Sequence, residues 1–294
     1  MKLLGEYKNG NYFVSIYDDG TKIRETDGDS FIPEFPESMD INITDRCDNN
    51  CEFCYAGATS DGKHGDILNA KFIDTLRPFT EVALNGNDLS HPQLFDFLIK
   101  LKTKGIFASM TVNQSHFMIY QDVITSLVEL DLIKGLGVSL VDPTDEFINN
   151  IKKFPNAVIH VINGIVTMEQ LKKLYDNNLK VLILGYKTVG RGKDYYSQKV
   201  EDNKKVIYDN ITDIIPRFKV VSFDNLALKQ LELRRIMSNK QWNEFYMGDD
   251  GKYTLYVDIP KGYFASSSMS DIKYDLLDNI DDMFEIIRSE TRHR

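Results

Sequence analysis

Between Met39 and Tyr186 the chain repeats one pattern six times: a short apolar run with β-branched residues, then a stretch with helical spacing of its apolar positions. The runs are MDINIT (39–44), EVALNG (81–86), FASMTVN (107–113), GLGVSLV (135–141), AVIHVIN (157–163) and KVLILGY (180–186). Their length and composition suit strands buried on both faces. The clearest helix lies in HPQLFDFLIKLKTKG, where Leu94, Phe97, Leu98 and Leu101 follow the i, i+3, i+4, i+7 spacing of one face. His91-Pro92 suits its start and Gly105 its end. Strands alternating with helices imply a parallel sheet joined by crossovers. Six units are too few for an eight-stranded barrel, so the expected fold is α/β, a partial barrel. Chemistry in such folds gathers at the C-terminal ends of the strands.

The flanks differ. YFVSIYDDGTKIRET (12–26) holds two β-prone runs around Asp18-Asp19-Gly20, a hairpin signal, and 27–38, with Pro33 and Pro36, reads as a linker. FKVVSFDNLALKQLELRRIM, near the other end, adds a strand and a helix. YMGDDGKYTLYVDIPKGYFASSS (246–268) reads as a hairpin with Pro260-Lys261-Gly262 near its turn, and the last twenty residues as a helix. The expected organisation is a β-hairpin and linker over 1–38, a barrel over 39–230 and a small α+β extension over 231–294.

No apolar run approaches the roughly 18 residues of a membrane span, and MKLLGEYKNGNYF lacks the apolar core of a secretion signal. A net charge of −9 argues against bulk attraction to nucleic acid or anionic lipid. The basic stretch YKTVGRGK (186–193) is an exception: it suits a phosphate or carboxylate, an acidic protein partner, or plain solvation. All three cysteines, Cys47, Cys51 and Cys54, fall within NITDRCDNNCEFCYAG. An odd, tight cluster is a poor disulfide framework and points to a reducing, cytoplasmic setting without membrane attachment.

Thiolates select zinc or iron–sulfur clusters. A closed zinc site needs a fourth ligand, for which His64 in SDGKHGD is the nearest candidate, giving a Cys₃His binding protein without catalysis. The other choice is a [4Fe–4S] cluster with one iron open to an exogenous ligand, since electron-transfer clusters normally have every iron held by protein.

CxxxCxxC with an aromatic residue before its last cysteine resembles the signature of the radical S-adenosylmethionine (radical SAM) superfamily. Cys47, Cys51 and Cys54 stand at the cluster-ligand positions, Phe53 at the aromatic one and Tyr55 just beyond. The resemblance covers about residues 39 to 230 and implies a (β/α)₆ partial barrel with the cluster loop after its first strand. It also implies S-adenosylmethionine on the open iron, one-electron cleavage to a 5′-deoxyadenosyl radical, hydrogen abstraction, and a flavodoxin- or ferredoxin-like reductant. Where the family places Gly-Gly-Glu, this chain has Asn85-Gly86-Asn87, so a neutral amide replaces the acid facing the SAM amino group. TVNQSHF resembles the third-strand region, with Asn113 at the strand end. Ser139 in GVSLVDPTDEF and Asn163 in VIHVINGIVTMEQLKKL match SAM-contacting positions, and LILGYKTVGRG resembles the sixth strand, beside the adenine.

The C-terminal hairpin resembles the auxiliary-cluster (SPASM or twitch) extension of peptide-modifying members, without its cysteines. With every thiol assigned, no second cysteine-held cluster can form and no cysteine can return hydrogen to a product radical. Tyr246, Tyr253 and Tyr256 are the alternative hydrogen donors, against plain strand packing. The implied substrate is a peptide or protein side chain, or alternatively a small molecule such as a nucleoside or amino acid. No particular catalytic side chain is singled out.

Overall fold

The computed structural model describes residues 1–85 and 88–292. Strands β1 (Leu3–Asn9), β2 (Tyr12–Tyr17) and β3 (Lys22–Glu25) form an antiparallel sheet. The expected hairpin is β2–β3, with β1 added on its open side.

The remaining strands are β4 (Ser38–Asn42), β5 (Glu81–Asn85), β6 (Phe107–Asn113), β7 (Gly135–Ser139), β8 (Ala157–Ile162), β9 (Lys180–Leu184), β10 (Val220–Phe223), β11 (Thr254–Asp258), β12 (Tyr263–Ala265) and β13 (Tyr274–Asp275). They make one ten-stranded sheet in the order β10-β9-β8-β7-β6-β5-β4-β11-β12-β13. The first eight strands in that order are parallel, and β12 and β13 close the row antiparallel. The six runs read from the sequence are β4 to β9. Two further parallel strands flank them: β10 beside β9, and β11 beside β4 in the register Thr254↔Ser38 to Asp258↔Asn42.

The helices are α1 (Leu94–Thr103), α2 (Gln114–Ile119), α3 (Gln121–Glu129), α4 (Asp145–Ile151), α5 (Met168–Leu174), α6 (Arg191–Tyr195), α7 (Gln198–Ile214), α8 (Asn225–Gln230), α9 (Asn239–Phe245) and α10 (Ile280–Arg292). Leu94, Phe97, Leu98 and Leu101 of α1 are all buried, as their spacing requires. Thr167 and Gln170 form a reciprocal capping box at the start of α5.

The two faces of the parallel sheet are unequally covered. Met39, Ile41, Val82, Leu84, Met110, Val138, Ile159 and Ile183 are buried in a common core with the helices. Among the alternate positions Asp40 is exposed, and Ala83, Ser109, Thr111 and His160 are partly open to solvent. Burial on both faces, the sequence expectation, therefore holds at Gly137, Tyr256 and Asn42 but not along the whole sheet, and curvature gives the reason. Lys187 lies just past β9 and Ser268 just past β12, strands seven spacings apart in the sheet order. A flat sheet at about 4.8 Å per spacing would hold them more than about 30 Å apart, yet Lys187 Nζ donates to Ser268 Oγ at 2.7 Å. Asn225, past β10, likewise donates to Gly248 O and Asp250 Oδ1 before β11. The sheet bends round an interior that its second face lines.

The segment read as a linker carries buried side chains. Glu37, fully buried, accepts from Tyr12 Oη at 2.6 Å and from Arg24 Nε and Nη2 at 2.7 and 2.9 Å, with Lys22 Nζ at 3.5 Å. These groups fasten the small sheet to the start of β4.

Candidate functional site

At the C-terminal ends of the parallel strands stand short polar side chains, one per strand: Asn42 on β4, Asn85 on β5, Asn113 on β6, Ser139 on β7, and Asn163 just past β8. Asn42 pairs with Asn85 and Asn113 with Ser139 in the strand registers, so these residues form a tier. The cysteine loop leaves β4 at the same end.

Backbone hydrogen bonds tie that loop down. Asp45 N–H donates to Lys63 O and Cys47 N–H to Thr59 O at 2.8 Å, while Thr59 N–H and Gly65 N–H donate back to Asp45 O and Ile43 O. Between these tethers Cys47, Cys51 and Cys54 are each partly exposed. The Cys51 thiol is pushed up by burial and by the negative charge that Cys54 and Cys47 would carry, with Arg191 acting the other way. The three sulfurs are thus near enough to feel one another. Among the described residues, however, no three Cys, His, Asp or Glu side chains converge as ligands of a single metal ion. Thiolates on one zinc lie about 3.8 Å apart, from Zn–S bonds of about 2.3 Å in a tetrahedron. Ligands of a multi-iron cluster each hold a different iron and need no common point. The donor set, three soft thiolates on one tethered loop, fits the cluster.

A second segment holds the loop from the side. Arg191 donates through its backbone N–H to Cys54 O at 3.0 Å, through Nε to Cys51 O at 2.9 Å and through Nη1 to Ala58 O at 2.9 Å. Gly190 precedes it at φ +56°, and a Cβ there would stand 2.2 Å from Tyr55 O and 2.9 Å from Cys54 O. Tyr186 Oη closes the turn by donating to Gly192 O. Arg191 of the basic YKTVGRGK stretch is therefore committed to the cysteine loop.

The other sequence candidates fall as follows. Phe53 packs edge-on against Tyr195 at 5.8 Å, and the Tyr55 ring lies 3.9 Å from Lys187 Nζ. Among the described residues Asn85 Nδ2 donates to Ala83 O at 3.5 Å, while Gly86 and Asn87 lie outside the described residues. Ser139 is partly exposed and stands opposite His160 in the register. Asn113 caps α2, accepting from Ser115 N–H and Oγ.

Asn163 is fully buried, and its Nδ2 donates to Gln230 Oε1 at 3.1 Å. That oxygen also accepts from Tyr186 N–H, so it must face a donor, which fixes the Asn163 amide orientation. Asn163 Oδ1 is left without a hydrogen-bond partner among the described residues. An orphaned buried oxygen at a strand end fits a donor supplied by a ligand.

His64 shares a 2.8 Å hydrogen bond through Nδ1 with Thr44 Oγ1, and its ring packs edge-on against His91 at 4.8 Å. Of the three tyrosines, Tyr246 stacks on Trp242 and Tyr253 packs against Tyr12 and Arg24. Tyr256 is buried, pairs with Asp40 in the register, and donates to Asp258 Oδ2 at 3.3 Å.

Several interior groups were not singled out by the sequence. Lys187 sits between the Tyr55 ring and Ser268, near Asp40, Asp224 and Asp250; burial lowers its pKa and those carboxylates oppose the change. Asp40 and Asp224 are both pushed upward, chiefly by lost hydration. Asp40 is nevertheless exposed to solvent. His160 is lowered to about 4 by burial, and its ring fills the space above Gly137 beside Thr111 Oγ1. Alternation in MDINIT held the available signal: Asp40 and Asn42 must face away from Met39 and Ile41.

Neither a protein-family model nor a curated protein sequence matches this chain.

Proposed function

We propose that the protein is a radical SAM enzyme: a partial barrel whose Cys47, Cys51 and Cys54 hold a [4Fe–4S] cluster, with S-adenosylmethionine as ligand of the fourth iron. The observation that carries this reading is the cysteine loop itself, fixed at the C-terminal end of a parallel sheet with its thiols partly exposed and its carbonyls taken by Arg191. When bound, the cluster and its co-substrate supply one-electron cleavage and a 5′-deoxyadenosyl radical able to remove hydrogen from a substrate.

The chain's own groups divide the remaining work. Arg191 and the backbone pairs at Thr59 and Lys63 tether the loop that carries the three cysteines. The polar tier provides hydrogen bonds for the co-substrate, with the Asn163 Oδ1 acceptor aligned by Gln230. The curved interior beneath the tier receives the substrate and limits its contact with water.

Anaerobic reconstitution with iron and sulfide tests the reading. We expect about four irons and four sulfides per chain, absorbance near ~400 nm, and 5′-deoxyadenosine after reduction in the presence of SAM. All three are expected to disappear in Cys51→Ala and to survive in His64→Ala. One zinc per chain, lost on changing His64, would replace the enzyme with a zinc-stabilised binding protein.

A further inference from the structure

Asp40 occupies an unusual position for a carboxylate. It lies in the middle of β4, on the interior face, two residues and so about 7 Å before the polar tier at Asn42. Its register neighbours are Ala83 on β5 and Tyr256 on β11, and Ser109 follows Ala83 on β6. Ala83 leaves open space beside it, and Ser109 and Thr111 bring hydroxyl acceptors to the same face. Among the described residues Asp40 has no hydrogen bond or ion pair, whereas the other carboxylates near it are engaged. Asp224 accepts from Ala227 and Gly185 N–H, and Asp250 from Asn225.

Around Asp40 the charges do not cancel. Asp40, Asp224 and Asp250 act on one ammonium, that of Lys187, and it is already hydrogen-bonded to Ser268 and placed over the Tyr55 ring. His160, neutral at pH 7, adds no positive charge. An anionic ligand would meet a surplus of carboxylates, whereas a cation would supply what Asp40 lacks. Beside this group lies a cavity of about 820 Å³ whose lining includes Pro33, Lys229, Asp250, Lys252, Ser266 and Arg288, so acids and bases are mixed there. Asp250 is the residue that this cavity shares with the charges around Lys187.

We propose that the interior binds its substrate by a cationic nitrogen, an alkylammonium or guanidinium group paired with the Asp40 carboxylate about one layer below the cysteine loop. The proposal rests on the radical SAM reading only in calling the occupant a substrate. Binding is therefore tested on the full chain before any cluster is introduced, so failure of the cluster chemistry and failure of the pairing are distinguishable.

The probes are Nα-acetyl-lysine methylamide, Nα-acetyl-arginine methylamide, pentylamine, the uncharged 2-aminoheptanoate analogue of the lysine probe, and Nα-acetyl-glutamate methylamide. Each is titrated by saturation-transfer NMR. The expected result is saturable binding of a cationic probe, at least tenfold tighter than the uncharged analogue and weakened at least tenfold by Asp40→Asn. Asp122→Asn, an exposed acid on α3, is expected to leave it unchanged. Binding of the capped residues would identify a peptide side chain, and binding of pentylamine alone a small amine. Equal binding of the uncharged analogue, preference for the glutamate probe, no saturable binding of any cation, or unchanged affinity in folded Asp40→Asn would each overturn the proposal. The comparison of charged and uncharged probes needs no variant and holds if Asp40→Asn fails to fold.

Discussion

Arg191 places one guanidinium between two carbonyls of the cysteine loop, a fork that lysine cannot reproduce with a single ammonium. Arg191→Lys is therefore expected to lower iron retained after reconstitution by half or more while the far-ultraviolet circular dichroism stays unchanged. An iron assay on both proteins decides it. Gly190→Ala acts on the same contact through the backbone. A Cβ at φ +56° meets Tyr55 O, and relieving the clash must move the loop or the turn; we expect a cost of about 1–3 kcal/mol, read as a lower denaturation midpoint. His160 gives a pH-dependent case. Folded, it titrates at about 4, against about 6.5 in an unfolded chain. Below pH 6.5 the unfolded chain therefore binds a proton that the folded one refuses, and stability falls as pH drops from 6.5 toward 4. His64 and His91 are lowered as well, so His160→Gln is needed to isolate the component. Urea midpoints at pH 7 and 4.5 should differ less in that variant than in the native chain, and identical differences would remove His160 from the account.

At the scale of elements, the small N-terminal sheet is held by charge as much as by packing. Arg24 pairs with the buried Glu37 and lies 3.9 Å over the Tyr253 ring, joining β3 to both the start of β4 and the approach to β11. Arg24→Met leaves Glu37 buried with only Lys22 as cation and is expected to cost about 3–5 kcal/mol, measured by chemical denaturation. Arg24→Met with Glu37→Gln should recover part of that loss. Little of this could be read in advance, because IPEFPES looks like a linker by its prolines, and nothing local says that Glu37 meets Arg24 and Tyr12. The strands β4 to β9 were legible because a short β-branched run between helical patterns is a local property, as were the hairpin β11–β12 and the buried face of α1. The pairing of β11 with β4 was not, since contacts between segments some 200 residues apart leave no mark on either. The cysteine loop was legible for the opposite reason, its three thiols lying within eight residues. The clamp on it was not: in YKTVGRGK, positive charge alone does not reveal that Arg191 faces carbonyls rather than a ligand.

The molecule as a whole depends on β4, which carries the cysteine loop and sits between β5 and β11 in the sheet. Leu255 and Val257 of β11 and Ile280, Met283 and Ile287 of α10 belong to the same buried core as Met39 and Ile41. Full burial of each such side chain contributes about 1.5–3 kcal/mol, so the five together supply an amount comparable to the whole 5–15 kcal/mol margin typical of a folded protein. The parallel core is thus not expected to stand without residues 246–294. A chain ending at Phe245 should lose its cooperative unfolding transition, and with it any capacity to retain iron, although every cysteine and Arg191 remain. Hydrogen exchange on the full chain tests the same dependence without truncation. Amides of 38–42 and 254–258 should exchange together in the slowest class, because opening either strand exposes the other. If 254–258 exchanges much faster while 38–42 stays protected, the C-terminal strand is an appendage, and the cysteine loop draws its rigidity from β5 and Arg191 alone.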